Sequence, residues 1–170
     1  MSTPLRLAGV VRESIVDGPG IRMSVFVQGC PHHCKGCHNV HTWDPSGGYD
    51  GTVERILEEA SKDPLVCGLT LTGGEPFEQA EALSVLAQRA RAMGLNIFCY
   101  TGYTFEQLYA AFDTHPEYRA LLMQCDWLVD GPFVESEMSL MLHFRGSRNQ
   151  RILDVPASLK EGRAVLSELN

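Results

Sequence analysis

No apolar run of the ~18 residues that a bilayer-spanning helix needs occurs in this sequence. The opening residues, Met1-Ser2-Thr3-Pro4-Leu5-Arg6, lack the extended apolar stretch of a secretory signal, so the chain is expected to be cytoplasmic, with no membrane partner. Positive charge is also scarce: 14 Lys and Arg stand against 21 Asp and Glu, a formal net charge of −7. Phosphate backbones attract basic surfaces, so nucleic acid is not an expected partner, although free nucleotides are not excluded. There is no internal repeat and no low-complexity tract. The 170 residues suffice for one domain, 1–170, and not comfortably for two. Composition is that of an ordinary globular protein, 44% hydrophobic and 21% charged.

Cysteine is sparse but unevenly placed. The six are Cys30, Cys34, Cys37, Cys67, Cys99 and Cys125. Close spacing of the first three in a cytosolic chain indicates a metal site, not a disulfide framework.

Apolar runs alternate with helical periodicity, which predicts an α/β fold with a parallel sheet. The first strand is expected at 22–27, running directly into the cysteine segment. Further strands are predicted at 68–71, 96–100, 126–129 and 151–155. Helices are predicted at 53–60 (Val53, Ile56, Leu57 and Ala60 on one face), at 78–93 (Leu83, Leu86, Ala87, Ala90 and Met93) with Gly94 as its stop, from Thr104 onward, and at 118–124. Thr104 with Gln107 forms a capping box. Residues 156–170 suggest a weak terminal helix. The noteworthy residues recur at strand C-termini, the edge that carries active sites in parallel α/β sheets and barrels. A full eight-unit barrel needs about 200 residues or more, so only a partial barrel with an open lateral mouth is within reach.

The segment Gly29-Cys30-Pro31-His32-His33-Cys34-Lys35-Gly36-Cys37-His38-Asn39 places three cysteines at C-x3-C-x2-C spacing. Three thiolates on one tight loop can hold three irons of a cubane [4Fe-4S] cluster, which ordinarily takes four cysteines. The fourth iron is then free for a substrate or cosubstrate. Structural zinc is the alternative, with His38 or His41 completing a tetrahedron. Farther along, Thr72-Gly73-Gly74-Glu75-Pro76 closes a strand. Gly73 and Gly74 permit close approach of a ligand to the backbone, and Glu75 can accept hydrogen bonds from an ammonium group. Alone this is a plain strand-to-helix turn; a structural zinc has no need of it.

These segments resemble the radical S-adenosylmethionine enzymes, and among them are most similar to the activating enzymes of anaerobic (class III) ribonucleotide reductases. The likeness extends from Asp17-Gly18-Pro19-Gly20-Ile21-Arg22 through the cysteine loop, Thr42-Trp43, residues 73–76, Tyr100-Thr101-Gly102-Tyr103 and Leu128-Val129-Asp130-Gly131-Pro132-Phe133 to Arg145-Gly146-Ser147-Arg148-Asn149-Gln150. Gly36, where many relatives carry an aromatic, is similar to the reductase activases. His38-Asn39 is as similar to the formate-lyase activases, whose basic residue after the fourth strand is missing here.

The resemblance implies a partial parallel β/α barrel of the radical S-adenosylmethionine type. It implies that Cys30, Cys34 and Cys37 bind a [4Fe-4S] cluster, and that the amine and carboxylate of S-adenosylmethionine take its fourth iron. Gly36, Cys37 and His38 would contact that cosubstrate from the cysteine loop, and Gly73, Gly74 and Glu75 from the turn, with Glu75 near the amine. A low-potential donor such as flavodoxin or ferredoxin would supply one electron, and the resulting 5′-deoxyadenosyl radical would take a hydrogen atom from a glycine of the partner reductase. Catalysis then rests on positioning and on excluding water, with no general base required. Activation of another glycyl-radical enzyme such as pyruvate formate-lyase, a small-molecule radical reaction, and a non-catalytic zinc module remain the alternatives.

Other residues carry quieter expectations. Cys67, Cys99 and Cys125 are read as core. His32 and His33 are read as solvent-facing or as supporting the loop, and Trp43 as stacking near the loop or, more readily, covering it. Residues 17–20 form a turn before a strand, residues 145–150 a polar loop near partner or nucleoside, and Met138, Met141 and Leu142 a lid, an interface or core.

Overall fold

The computed structural model describes residues 2–170. Its strands are β1 (Pro4–Ser14), β2 (Arg22–Val27), β3 (Tyr49–Thr52), β4 (Gly68–Gly73), β5 (Asn96–Tyr100), β6 (Trp127–Asp130) and β7 (Arg151–Asp154). They form one sheet in the order β3-β1-β2-β4-β5-β6-β7. The centre, β2-β4-β5-β6, is parallel. Both flanks are antiparallel: β1 on β2, β3 on β1, and β7 on β6. The end strands β3 and β7 pair on one side only, so the β/α barrel is incomplete.

The parallel centre agrees with the expected parallel sheet, and the strands at 22–27, 68–73, 96–100, 127–130 and 151–154 fall where predicted; β1 and β3 are additional to those expected. In β1 the pairing register shifts between Leu7 and Gly9 and again between Val11 and Ser14, which breaks the alternation that would have marked a strand. β3 reads Tyr-Asp-Gly-Thr and has no apolar run; it exists through its pairing with β1.

The helices follow their local signals closely. α1 (Val53–Ser61) starts where the Thr52 side chain accepts a hydrogen bond from Arg55 N, and it buries Val53, Ile56, Leu57 and Ala60. A 3₁₀ turn at Pro76–Gln79 precedes α2 (Ala80–Ala92), which buries Leu83, Leu86, Ala87 and Ala90. Met93, expected on that stripe, is exposed at the C-terminal end. Gly94 there adopts φ +90°, the left-handed conformation that ends a helix. α3 (Phe105–Ala110) opens on the Thr104–Gln107 capping box, with both reciprocal bonds formed. α4 (Pro116–Leu122) and α5 (Val155–Glu161) complete the set. α5 is shorter than expected because Gly162 (φ +69°) turns the chain back, and Leu166 then bridges to Leu153.

Period-two alternation gives the sheet two different faces. Met23, Val25, Leu69, Leu71, Ile97, Cys99, Leu128 and Leu153 pack with the helices in the main apolar cluster. Between them, on the opposite face, come Arg22, Ser24, Thr70, Phe98, Tyr100, Val129 and Ile152. Arg22 is fully buried there. Its guanidinium donates to Thr70 Oγ1, Pro19 O and Leu69 O at 2.9 Å each and to Asn96 O at 3.3 Å, and it lies 5.8 Å from the Phe98 ring centre. Burial holds its pKa below the ordinary arginine value. The turn at residues 17–20 fits over this side chain: at Gly18 (φ +125°) a Cβ would stand 2.9 Å from Arg22 Cδ and 3.0 Å from Phe98 Cγ.

Arg22→Met keeps the length and removes the donors, leaving several buried acceptors bare. We expect a loss of about 2–4 kcal/mol in folding stability, read from the midpoint of anaerobic urea denaturation.

Candidate metal centre

The cysteine loop leaves β2 and is held at both ends by backbone bonds. Gly29 N donates to Thr42 O at 2.6 Å and Cys30 N to Trp43 O at 3.1 Å. Gln28, buried at the end of β2, donates from its side chain to His41 O (2.9 Å) and Asp44 O (2.7 Å). Inside the loop, Cys37 N donates to Cys34 O at 3.1 Å and Asn39 N to Cys37 Sγ at 3.3 Å. The result is a closed ring of backbone on which Cys30, Cys34 and Cys37 are free thiols, each half-buried. Burial pushes the Cys30 thiol above its ordinary range, opposed by a backbone hydrogen bond and aided by the charge of Glu75.

The Gly-Gly-Glu turn is stitched onto this loop. Gly74 N donates to Val27 O and Glu75 N to Gly29 O, both at 2.8 Å. A Cβ at Gly74 would collide with the carbonyl of Gly29, and one at Gly73 (φ +97°) would meet Val27 N at 2.6 Å, so only glycine allows this approach. Cys30, Cys34, Cys37, Gly73 and Gly74 all line a cavity of about 150 Å³, closed by Thr72, Tyr100, Thr101, Phe133 and Gln150 among others. A larger cavity of about 450 Å³ adjoins it, sharing Cys37, Asn39, Thr72, Tyr100, Phe133 and Gln150 and adding His38, Asp17, Phe144 and Arg145.

Glu75 stands behind the first cavity and is not part of its lining. Its carboxylate is fully buried. Oε1 accepts from His32 Nε2 at 2.6 Å and Gly102 N at 2.8 Å; Oε2 accepts from Phe77 N at 3.0 Å; Thr101 Oγ1 is 2.9 Å from both oxygens. As a carboxylate Glu75 only accepts, which places the proton of His32 on Nε2. The imidazole packs edge-on against Tyr103 at 4.6 Å.

Gly36 likewise lies outside both linings. It is exposed, at φ +78°, and a Cβ there would run into the Glu135 carboxylate. The segment after β6 therefore folds over the cysteine loop, and Phe133 meets His38 at 5.6 Å. His33 is exposed and stacks on Trp43 at 4.4 Å with rings 10° apart. Cys99 and Cys125 are buried, but Cys67 is exposed. It precedes β4 beside Gly20, on the edge away from the cysteine loop, where no helix covers it.

Three lining residues, Thr72, Tyr100 and Phe133, had no individual role assigned in the sequence, although each lies in a segment that carries the resemblance, at or just after a strand end. Gln150, from the loop expected near partner or nucleoside, joins them. Tyr100 is held by its hydroxyl, which donates to Phe144 O at 2.6 Å, and burial raises its pKa. Asp130, at the end of β6, is buried and accepts from Phe105 N at 2.8 Å and from the Arg151 guanidinium, whose pKa that hydrogen bond raises. It fixes the start of the segment carrying Phe133.

Three soft, free thiols on one cavity wall, thiolates once they bind metal, are the donor set of an iron–sulfur centre. Among the described residues no three His, Cys, Asp or Glu side chains gather closely enough for a single ion. His38 stands against Phe133 and His41 is exposed. The site thus defines the class, an iron–sulfur protein, and residues 16–153 match the family described as a 4Fe-4S single cluster domain.

Curated relatives make the class more specific. The chain is 39% identical over 147 residues to the anaerobic ribonucleoside-triphosphate reductase-activating protein of Vibrio cholerae serotype O1, covering 81% of this chain and 90% of that one. It is 35% identical over 146 residues to the protein of that name from Haemophilus influenzae, with coverage of 81% and 90%. To that from Enterobacteria phage T4 it is 36% identical over 143 residues, with coverage of 81% and 86%. The chain belongs to the family of anaerobic ribonucleoside-triphosphate reductase-activating proteins. The 4Fe-4S description of the matching family sets aside the zinc alternative.

Glu75→Gln replaces one accepting oxygen by an amide that points hydrogens at existing donors. We expect a loss of about 1–3 kcal/mol and faster hydrogen exchange at Phe77 N and Gly102 N, measured by mass spectrometry.

Proposed function

We propose that this chain is a single-domain, cytoplasmic enzyme that installs a glycyl radical in an anaerobic ribonucleoside-triphosphate reductase. The observation that carries the reading is the shared cavity of Cys30, Cys34, Cys37, Gly73 and Gly74, in a chain whose relatives bear the activating name. No helix of the described residues is long and apolar enough to cross a membrane.

Cys30, Cys34 and Cys37 hold the cluster. With S-adenosylmethionine bound beside it and one electron from a low-potential carrier such as a flavodoxin or ferredoxin, the cluster would supply reductive cleavage of the sulfonium, the S–C5′ bond breaking to release methionine and the 5′-deoxyadenosyl group taking hydrogen from the target glycine. Gly73 and Gly74 let the methionine portion lie against backbone, and Cys37 and His38 contact the cosubstrate from the loop. Glu75 acts from behind: it clamps His32, Thr101 and Gly102 so that the cavity wall stays in place. Gly36 serves through its backbone, giving room to the Glu135 side chain. Tyr100, Phe133 and Phe144 give the adjoining cavity flat apolar walls suited to a nucleoside and able to exclude water.

The mouth of that cavity supports a protein substrate. Val16 and Leu142 line it, and next to them Ile15, Leu140 and Met141 are exposed at 74%, 90% and 88%. Large apolar side chains left this bare mark contact surfaces, and these flank the opening through which a glycine-bearing segment of the reductase would enter.

Anaerobic incubation with S-adenosylmethionine, reductant and the reductase, followed by electron paramagnetic resonance, is expected to reveal an organic glycyl radical. A radical formed only on a formate lyase, or none on either, would overturn the assignment. Cys34→Ala leaves two thiolates and is expected to abolish reductive cleavage of S-adenosylmethionine, measured as 5′-deoxyadenosine; wild-type cleavage would refute the ligand set. Leu140→Asp combined with Met141→Asp is expected to lower the radical formed per 5′-deoxyadenosine released by about tenfold, the equivalent of ~1.4 kcal/mol of lost docking energy.

A further inference from the structure

Trp43 belongs to the lining of the cavity shared by the three loop cysteines. Its carbonyl accepts from Cys30 N, and its ring is held flat against His33. The indole Nε1–H is buried and has no acceptor among the described residues. Buried donors without partners are rare in folded chains, and each calls for a reason. Covering the loop is not the reason, because phenylalanine would cover it equally well and carry no donor. What the residues around Trp43 share is a cavity whose own donor set calls for an iron–sulfur cluster. Such a cluster brings acceptors with it, namely negatively charged sulfides and thiolates, and hydrogen bonds to charged acceptors are the stronger kind.

We propose that the Trp43 indole N–H donates a hydrogen bond to the iron–sulfur cluster, at a sulfide or a coordinating thiolate, and so raises its reduction potential. The inference rests on the cluster reading above. The physical basis is charge: one added electron makes the sulfur acceptors more negative, so the bond is stronger in the reduced state and favours it. Trp43 is therefore a positioning and tuning residue. It lowers the demand on the electron donor without touching the substrate.

The experiment compares the full chain with Trp43→Phe, each reconstituted anaerobically. Iron and sulfide are quantified, and the midpoint potential is read by electron paramagnetic resonance during a redox titration. The variant keeps ring and stacking and loses only the donor. We expect equal cluster content and, at any fixed poise, a reduced-to-oxidised ratio about tenfold lower, a midpoint ~59 mV more negative for a one-electron couple. An unchanged midpoint at full loading overturns the proposal.

A second measurement needs no change at Trp43. The chain has two tryptophans, so Trp127→Phe protein grown with ¹⁵N-indole label carries the label at Trp43 alone. Pulsed resonance of its reduced cluster should show ¹⁵N coupling and an exchangeable proton; their absence overturns the proposal even if Trp43→Phe fails to load. If unaltered protein binds no iron, the cluster reading itself falls, an outcome that iron analysis separates from the others.

Discussion

One buried carboxylate holds the working edge of this protein together. Glu75 is reached from the cysteine loop through His32, from the end of β5 through Thr101 and Gly102, and from its own turn through Phe77. A charge out of water is tolerable only when its lone pairs are occupied, and here donors from separate stretches of chain occupy them. That requirement works in both directions. The carboxylate needs all of its donors, so those stretches are drawn to one point, and the cavity wall in front of it inherits their order.

The sheet beneath is divided between two tasks. Its helix-facing side chains are aliphatic and close-packed, and supply the bulk of the apolar burial. Its other face carries polar and aromatic groups, with Arg22 sealed under the turn at residues 17–20 and Phe98 alongside. Stability is thus concentrated on one side, and the other is available for chemistry. The antiparallel flanks β1, β3 and β7 extend the sheet without bringing its ends together, which leaves it open at the side.

Elements governed by local rules were legible in the sequence. The Thr104–Gln107 cap, the Gly94 stop and the apolar stripe of α1 each depend on neighbours a few residues apart. The cysteine spacing was equally plain, because all three thiols lie on one short loop. β1 and β3 were not, since register shifts hide the alternation of the first and the second has no pattern apart from its partner. The place of Glu75 was hidden for a related reason: a carboxylate after two glycines at a strand end reads as a ligand-binding group, and only the fold reveals that donors from residues 32, 101 and 102 reach it. Cys67 misled because thiols are so often interior, whereas this one precedes a strand at an edge that no helix covers. Trp43 was placed at the cysteine loop from the sequence, but an unmet indole hydrogen is a property of packing that no spacing encodes.

Arg22 has a consequence for the end of the sheet opposite the cysteine loop. Its guanidinium is tied to two neighbouring strands and a turn. Apolar contacts tolerate repacking, whereas a set of directional bonds admits few seatings. The alignment of β2, β4 and β5 at that end is therefore set by hydrogen-bond geometry and not by shape alone.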